Sequence, residues 1–142
     1  MATSLIDFSA QFGGLDAADL VLPYFKALKK ACQNIEIDDF PFQNLTFILR
    51  VDGEIRSFNF SGLERIKRSR SKEYISVDLG IMQKDYGRVS EVISESILSS
   101  IKLFSNFFEK KKLNHNPEAL KYCILELISK YKNLCNGVGN SV

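Results

Sequence analysis

Few residues of this chain have the type and spacing that chemistry requires. The one histidine, His115, lies between Asn114 and Asn116, just ahead of a helix start, and reads as an exposed loop residue rather than a positioned base. The three cysteines, Cys32, Cys123 and Cys135, are odd in number, and no two have metal-ligand spacing. They read as reduced, mostly buried thiols. Gly13-Gly14 precedes a helix but lacks the Lys-Ser/Thr of a phosphate-binding loop. Asp38 and Asp39 are adjacent, so in an extended loop their carboxylates would point apart. Asp78 lies in mid-strand on an outward face, where pairing with Arg50 or Arg56, or plain solvation, competes with a catalytic role. No catalytic residue, metal ligand or cofactor is assigned on these grounds.

What stands out instead is charge. The stretch RIKRSRSKEYISVDLGI, residues 65–81, opens with Arg65, Lys67, Arg68, Arg70 and Lys72 and then passes into a strand pattern. Upstream, Glu36, Asp38 and Asp39 form a small acidic cluster. The basic run has three readings: a solvated loop, a protein-binding surface, or a phosphate contact giving salt-sensitive, sequence-independent binding. A formal net charge of +2 is small for a duplex binder, and Tyr74 is the one aromatic closely interleaved with the basic residues. Both facts argue against nucleic acid.

The elements that would carry these residues follow from periodicity. Residues 1–14 form an apolar arm bearing Leu5, Ile6, Phe8 and Phe12, of ambiguous structure. Asp16 reads as the N-cap of a helix with apolar positions from Leu20 to Ile35, ending near Asn34. Leu45, Phe47, Leu49 and Val51 alternate in a strand, and Asp52-Gly53 predicts a tight hairpin with residues 55–60 returning. After the basic loop, Ile75, Val77, Leu79 and Ile81 mark the inward face of a third strand. A helix follows over 88–111, with Val89, Val92, Ile93, Ile97, Leu98, Ile101, Phe104 and Phe108 as its stripe and small serines between. Lys110, Lys111 and Lys112 suit the negative end of its dipole. Asn116-Pro117 starts the last helix, Asn136-Gly137 ends it, and 137–142 form a loose tail. The expectation is one α+β domain over residues 1–142, of order α-β-β-β-α-α. Its three-stranded antiparallel sheet packs against helices.

A chain of 142 residues can bury a core without staples. No apolar run approaches the roughly 20 residues needed to span a bilayer. Asp7, Asp16 and Asp19 interrupt the opening segment, so no signal peptide is read and a cytoplasmic protein is expected.

The hairpin FILRVDGEIRSFNF, followed by RSRSKEYISVDLGI and a long helical pair, resembles the small immunity proteins of bacterial polymorphic-toxin and contact-dependent growth inhibition systems. The resemblance spans residues 45–108. It implies a non-enzymatic inhibitor that binds a cognate toxin domain and protects the producing cell. Immunity proteins against nucleic-acid-cleaving toxins are often strongly acidic, and this chain is not, so its target surface is expected to be mixed or acidic. Arg65, Lys67, Arg68, Arg70 and Lys72 would then meet acidic groups, and Glu36, Asp38 and Asp39 basic ones. Two other classes stay open: a nucleic-acid-binding or regulatory module using residues 65–72, and a small enzyme with an unrecognised site. Oligomeric state is not read from the sequence.

Overall fold

The structure, a computed structural model, describes residues 4–12, 15–51, 62–68 and 74–139. Along them run β1 (Ser4–Phe12), α1 (Leu15–Ala31), β2 (Glu36–Ile37), β3 (Asn44–Val51), β4 (Gly62–Arg68) and β5 (Tyr74–Ile81). A 3-10 segment (Gln83–Arg88), α2 (Val89–Lys110) and α3 (Pro117–Gly139) complete them. The class is α+β, with one mixed sheet in the order β2-β1-β3-β5-β4.

The expected three-stranded antiparallel sheet is corrected here. The apolar arm is a strand, and β1 and β3 run parallel, with Ile6 opposite Leu45, Phe8 opposite Phe47 and Ala10 opposite Leu49. Helix α1 supplies the crossover that a parallel pair requires. On its other side β3 pairs with β5, also parallel, over its full length. Both edges of β3 are therefore taken, and the antiparallel hairpin expected of it has no edge to use. The Asp52-Gly53 turn and the return strand over 55–60 lie outside the described residues. The antiparallel partner of β5 is β4, which contains Arg65, Lys67 and Arg68, so this half of the expected basic loop is strand.

One face of the sheet holds the core. Ile75, Val77, Leu79 and Ile81 are fully buried, as their alternation predicts, alongside Leu45, Phe47, Leu49 and Val51. Phe8 stacks on Phe47 at 5.1 Å between ring centroids, and Phe104 of α2 meets Phe47 edge-on. The three helices contact one another over this face. Ser96 and Ser100 of α2 are buried, their small side chains admitting close contact, and the Ser100 hydroxyl donates to the carbonyl of Ile97. Leu98, expected in the apolar stripe, is instead exposed. Asp16 falls inside α1, one residue past its start, and α1 ends at Ala31 in a turn where Asn34 takes a left-handed φ of 66°. Residues 137–139, expected to be tail, continue α3.

Beyond its short pairing with β2, the outer edge of β1 is guarded by Lys29. Its ammonium donates to the Phe8 carbonyl at 3.0 Å and to Asp7 Oδ1 at 2.7 Å. A lysine on an open edge opposes pairing with another chain.

Candidate partner-binding site

The acidic residues sit on chain that apolar anchors hold in place. Ile37 and Phe42 are buried on either side of Asp38 and Asp39, which are exposed, as is Glu36. The Cys123 thiol donates to the Glu36 carbonyl at 3.0 Å, tying β2 to α3. Burial pushes that thiol above its ordinary pKa, and the nearby carboxylates of Glu126 and Asp38 add to the effect. It stays a protonated donor. Asp39 has φ 55°, a left-handed conformation that aspartate tolerates better than most residues. The chain then turns inward. The Phe40 ring meets Phe108 edge-on at 5.5 Å, and Phe42 stacks on Phe108 at 6.1 Å.

A second wall comes from the turn between α2 and α3. The amide of Lys112 donates to the Glu109 carbonyl and that of Leu113 to the Phe108 carbonyl, the paired bonds of a Schellman cap. Lys112 fills the left-handed position, with φ 56°. On the other side Asn116 caps α3 as its sequence predicts, its Oδ1 accepting from the amides of Glu118 and Ala119, both at 3.1 Å. His115 is pinned between these caps, and its ring lies 4.8 Å from that of Phe108. Nδ1 is 3.3 Å from the Leu113 carbonyl. A carbonyl accepts only, so this contact is a hydrogen bond when Nδ1 carries a proton. Nε2 is buried and has no hydrogen-bond partner among the described residues. The expectation of a simple exposed loop histidine is thus corrected: the ring is half-buried, as its packing on Phe108 requires.

Between the two walls lies an open cleft of about 630 Å³, lined by Asp39, Phe40, Pro41, Asn114, His115, Asn116 and Pro117. Rings and prolines make its sides, and a carboxylate stands at its rim. It combines apolar surface with hydrogen-bond acceptors, the chemistry of a binding cleft.

The basic residues lie elsewhere. In β4, Lys67 is opposite Ser76 and Arg68 opposite Ile75, with an irregularity between Leu63 and Ile66 that takes in Arg65. Arg70 and Lys72 lie outside the described residues. Strand β2 is at one end of the sheet order and β4 at the other, four strand steps apart, which is about 19 Å at normal strand spacing. The two charged groups share one end of the sheet, since Glu36 is opposite Leu5 and Arg68 is one row on through Ile75, Leu45 and Ile6. They do not form one patch.

Asp78, weighed above as a candidate catalytic group, is buried and its Oδ1 lies 3.2 Å from Arg50 Nε. Arg50 Nη1 also donates to Gln11 Oε1. The cross-strand pair is the reading that this geometry favours. A second buried carboxylate, Asp85, accepts from the Met82 amide at 3.0 Å and closes the turn into α2. Among the described residues no group of three or more His, Cys, Asp or Glu could hold a metal ion, and no helix is long and apolar enough to cross a membrane.

The sequence had flagged Asp39 for this site, and the structure adds Phe40, Asn114 and His115. The Asn116-Pro117 cap was the only signal near them. Comparison with protein-family models, curated proteins and solved structures finds no match to this chain.

Proposed function

We propose that this chain is a non-enzymatic immunity protein that binds a cognate bacterial toxin domain in the cytoplasm and blocks it by protein–protein contact. The observation that carries the reading is the acidic group. Glu36, Asp38 and Asp39 are exposed together beside a cleft, on a segment anchored by Ile37, Phe42 and the Cys123 bond. Pre-ordered charge of this kind speeds encounter with a complementary surface and rejects wrong partners. The basic strand β4 offers a second, opposite charge at the far edge.

The test is protection. The chain is co-expressed with the toxin domain encoded beside it, and growth is followed. Rescue that is weakened by Asp38→Lys with Asp39→Asn supports the reading, and absence of rescue by the unaltered chain overturns it. A second reading, nucleic-acid binding, draws on Tyr74. It is 46% exposed and follows directly on the basic strand in the sheet register. Titration with labelled single- and double-stranded nucleic acid near physiological salt separates the two. Affinity lost in an Arg65→Glu, Arg68→Glu variant would favour the second.

A further inference from the structure

The cleft has a more specific chemistry than its acidic rim alone. We propose that the cleft between the turn at residues 39–41 and the turn at residues 114–117 receives a single arginine side chain presented by a protein partner. This rests on the partner-binding reading above and names what the partner brings.

Three features converge on a guanidinium. First, the polar group open at the rim is an acceptor of the right kind. The Asp39 carboxylate is exposed there, while His115 Nε2 is closed to solvent. Asn116 Oδ1 is already used by the α3 cap. An arginine brings five N–H donors and no acceptor, which matches a rim whose open polar group is a carboxylate. Second, the walls are flat and apolar. Phe40, Pro41 and Pro117 flank the space, and an aromatic face attracts a planar cation stacked on it. Third, Glu36 and Asp38 stand just outside the cleft and add negative charge to its approach. Interface anchors are commonly arginines seated in such pockets. Lys111 and Lys112, exposed at the end of α2, oppose a cation. Selectivity therefore depends on direct contact with Asp39 rather than on the general field.

The walls also favour a ready-made receptor. The Schellman cap of α2 and the Asn116 cap of α3 fix the turn from both ends, so binding orders little chain.

The experiment titrates the full-length, ¹⁵N-labelled chain with N-acetyl-arginine amide and follows amide shifts. N-acetyl-citrulline amide, neutral but nearly isosteric, is the matched control. The expected result is saturable shifts confined to residues 39–41 and 113–117, several-fold weaker with citrulline and reduced at least threefold in apparent affinity in Asp39→Asn. Asparagine also tolerates a positive φ, so that variant keeps the turn while removing the charge. A His115→Phe variant keeps the ring packing on Phe108 and the charge of Asp39, so it should bind about as the native chain does. Equal shifts with citrulline would overturn the proposal, since charge would not be recognised. Shifts that map elsewhere, or none up to tens of millimolar, would overturn it too. Localised, charge-dependent shifts in a chain that fails to protect against the toxin would uphold the arginine receptor and retire the toxin reading.

Discussion

At Tyr131, the largest fully buried side chain, packing and polarity pull in opposite directions. The ring fills the core, but its hydroxyl finds no well-formed hydrogen bond among the described residues. Ser90 and Cys135 are polar neighbours close enough to influence the phenol. Removing an unsatisfied hydroxyl is neutral or stabilising, so Tyr131→Phe should change unfolding free energy by no more than about 1 kcal/mol, in the stabilising direction. Burial also pushes the phenol far above its ordinary range. The sign follows from linkage. Above pH about 10 the unfolded chain loses this proton while the folded chain keeps it. The raised pKa thus contributes stability that is complete below pH about 10 and declines as pH rises beyond it, by up to about 1.4 kcal/mol per unit. Urea midpoints measured from pH 8 to 11 should fall more steeply for the native chain than for Tyr131→Phe. A second residue-level case is the Arg50–Asp78 pair, with Asp78 nearly closed to solvent. Arg50→Met takes away the cation and should cost about 2 kcal/mol. Adding Asp78→Asn should restore part of that loss, since the uncompensated carboxylate is the main penalty. A double mutant no better than the single would show that Asp78 depends on its other contacts.

Among the elements, the turn from α2 to α3 carries an avoidable strain. Lys112 occupies the left-handed position of a Schellman cap that glycine fills with least strain. Lys112→Gly should raise stability by about 0.5–1 kcal/mol, read as a shift in thermal midpoint. A fall would mean that the lysine stem packs in a way that outweighs the strain. The turn also shows what a sequence can disclose. Its Asn116 cap, the α2 stripe apart from Leu98 and the alternation of β5 depend on neighbours within a few residues, and these were legible. The fate of β1 was not. Its apolar residues Ile6 and Phe8 alternate, but Leu5 breaks the pattern, and the parallel partner arrives only after a whole helix. The antiparallel pairing expected of β3 after Asp52-Gly53, a turn outside the described residues, fails for a related reason. A turn signal reports local φ preferences and says nothing of which strands already occupy both edges of β3. The cleft was hidden for the same cause: Asp39 and His115 come together only through Phe40 and Phe108. The acidic rim itself was visible, because three carboxylates in a short connector have little choice but to face water.

Over the whole molecule the net charge of +2 conceals two poles. Glu36, Asp38 and Asp39 gather at the β2 edge, and Arg65, Lys67 and Arg68 run along β4 at the other. Across four strand steps the separation is about 19 Å, roughly twice the screening length at 0.1 M salt. The poles should therefore act on a partner as independent sites. Among the described residues β4 is an edge strand, and charged residues and a bulge on such a strand oppose pairing with other chains. The two roles make different predictions. Glu36→Lys with Asp38→Lys at one pole, and Arg65→Glu with Arg68→Glu at the other, should each leave the unfolding free energy within about 0.5 kcal/mol of native. If both poles contact the toxin domain, each pair slows association, the effect shrinks as salt rises, and the two losses add within about 0.5 kcal/mol in the combined variant. If β4 is charged only to protect its edge, reversal there leaves the association rate unchanged, because charge of either sign guards an edge. A neutral Arg65→Thr, Arg68→Val variant would then keep full affinity but associate with itself at high protein concentration, a change that light scattering detects.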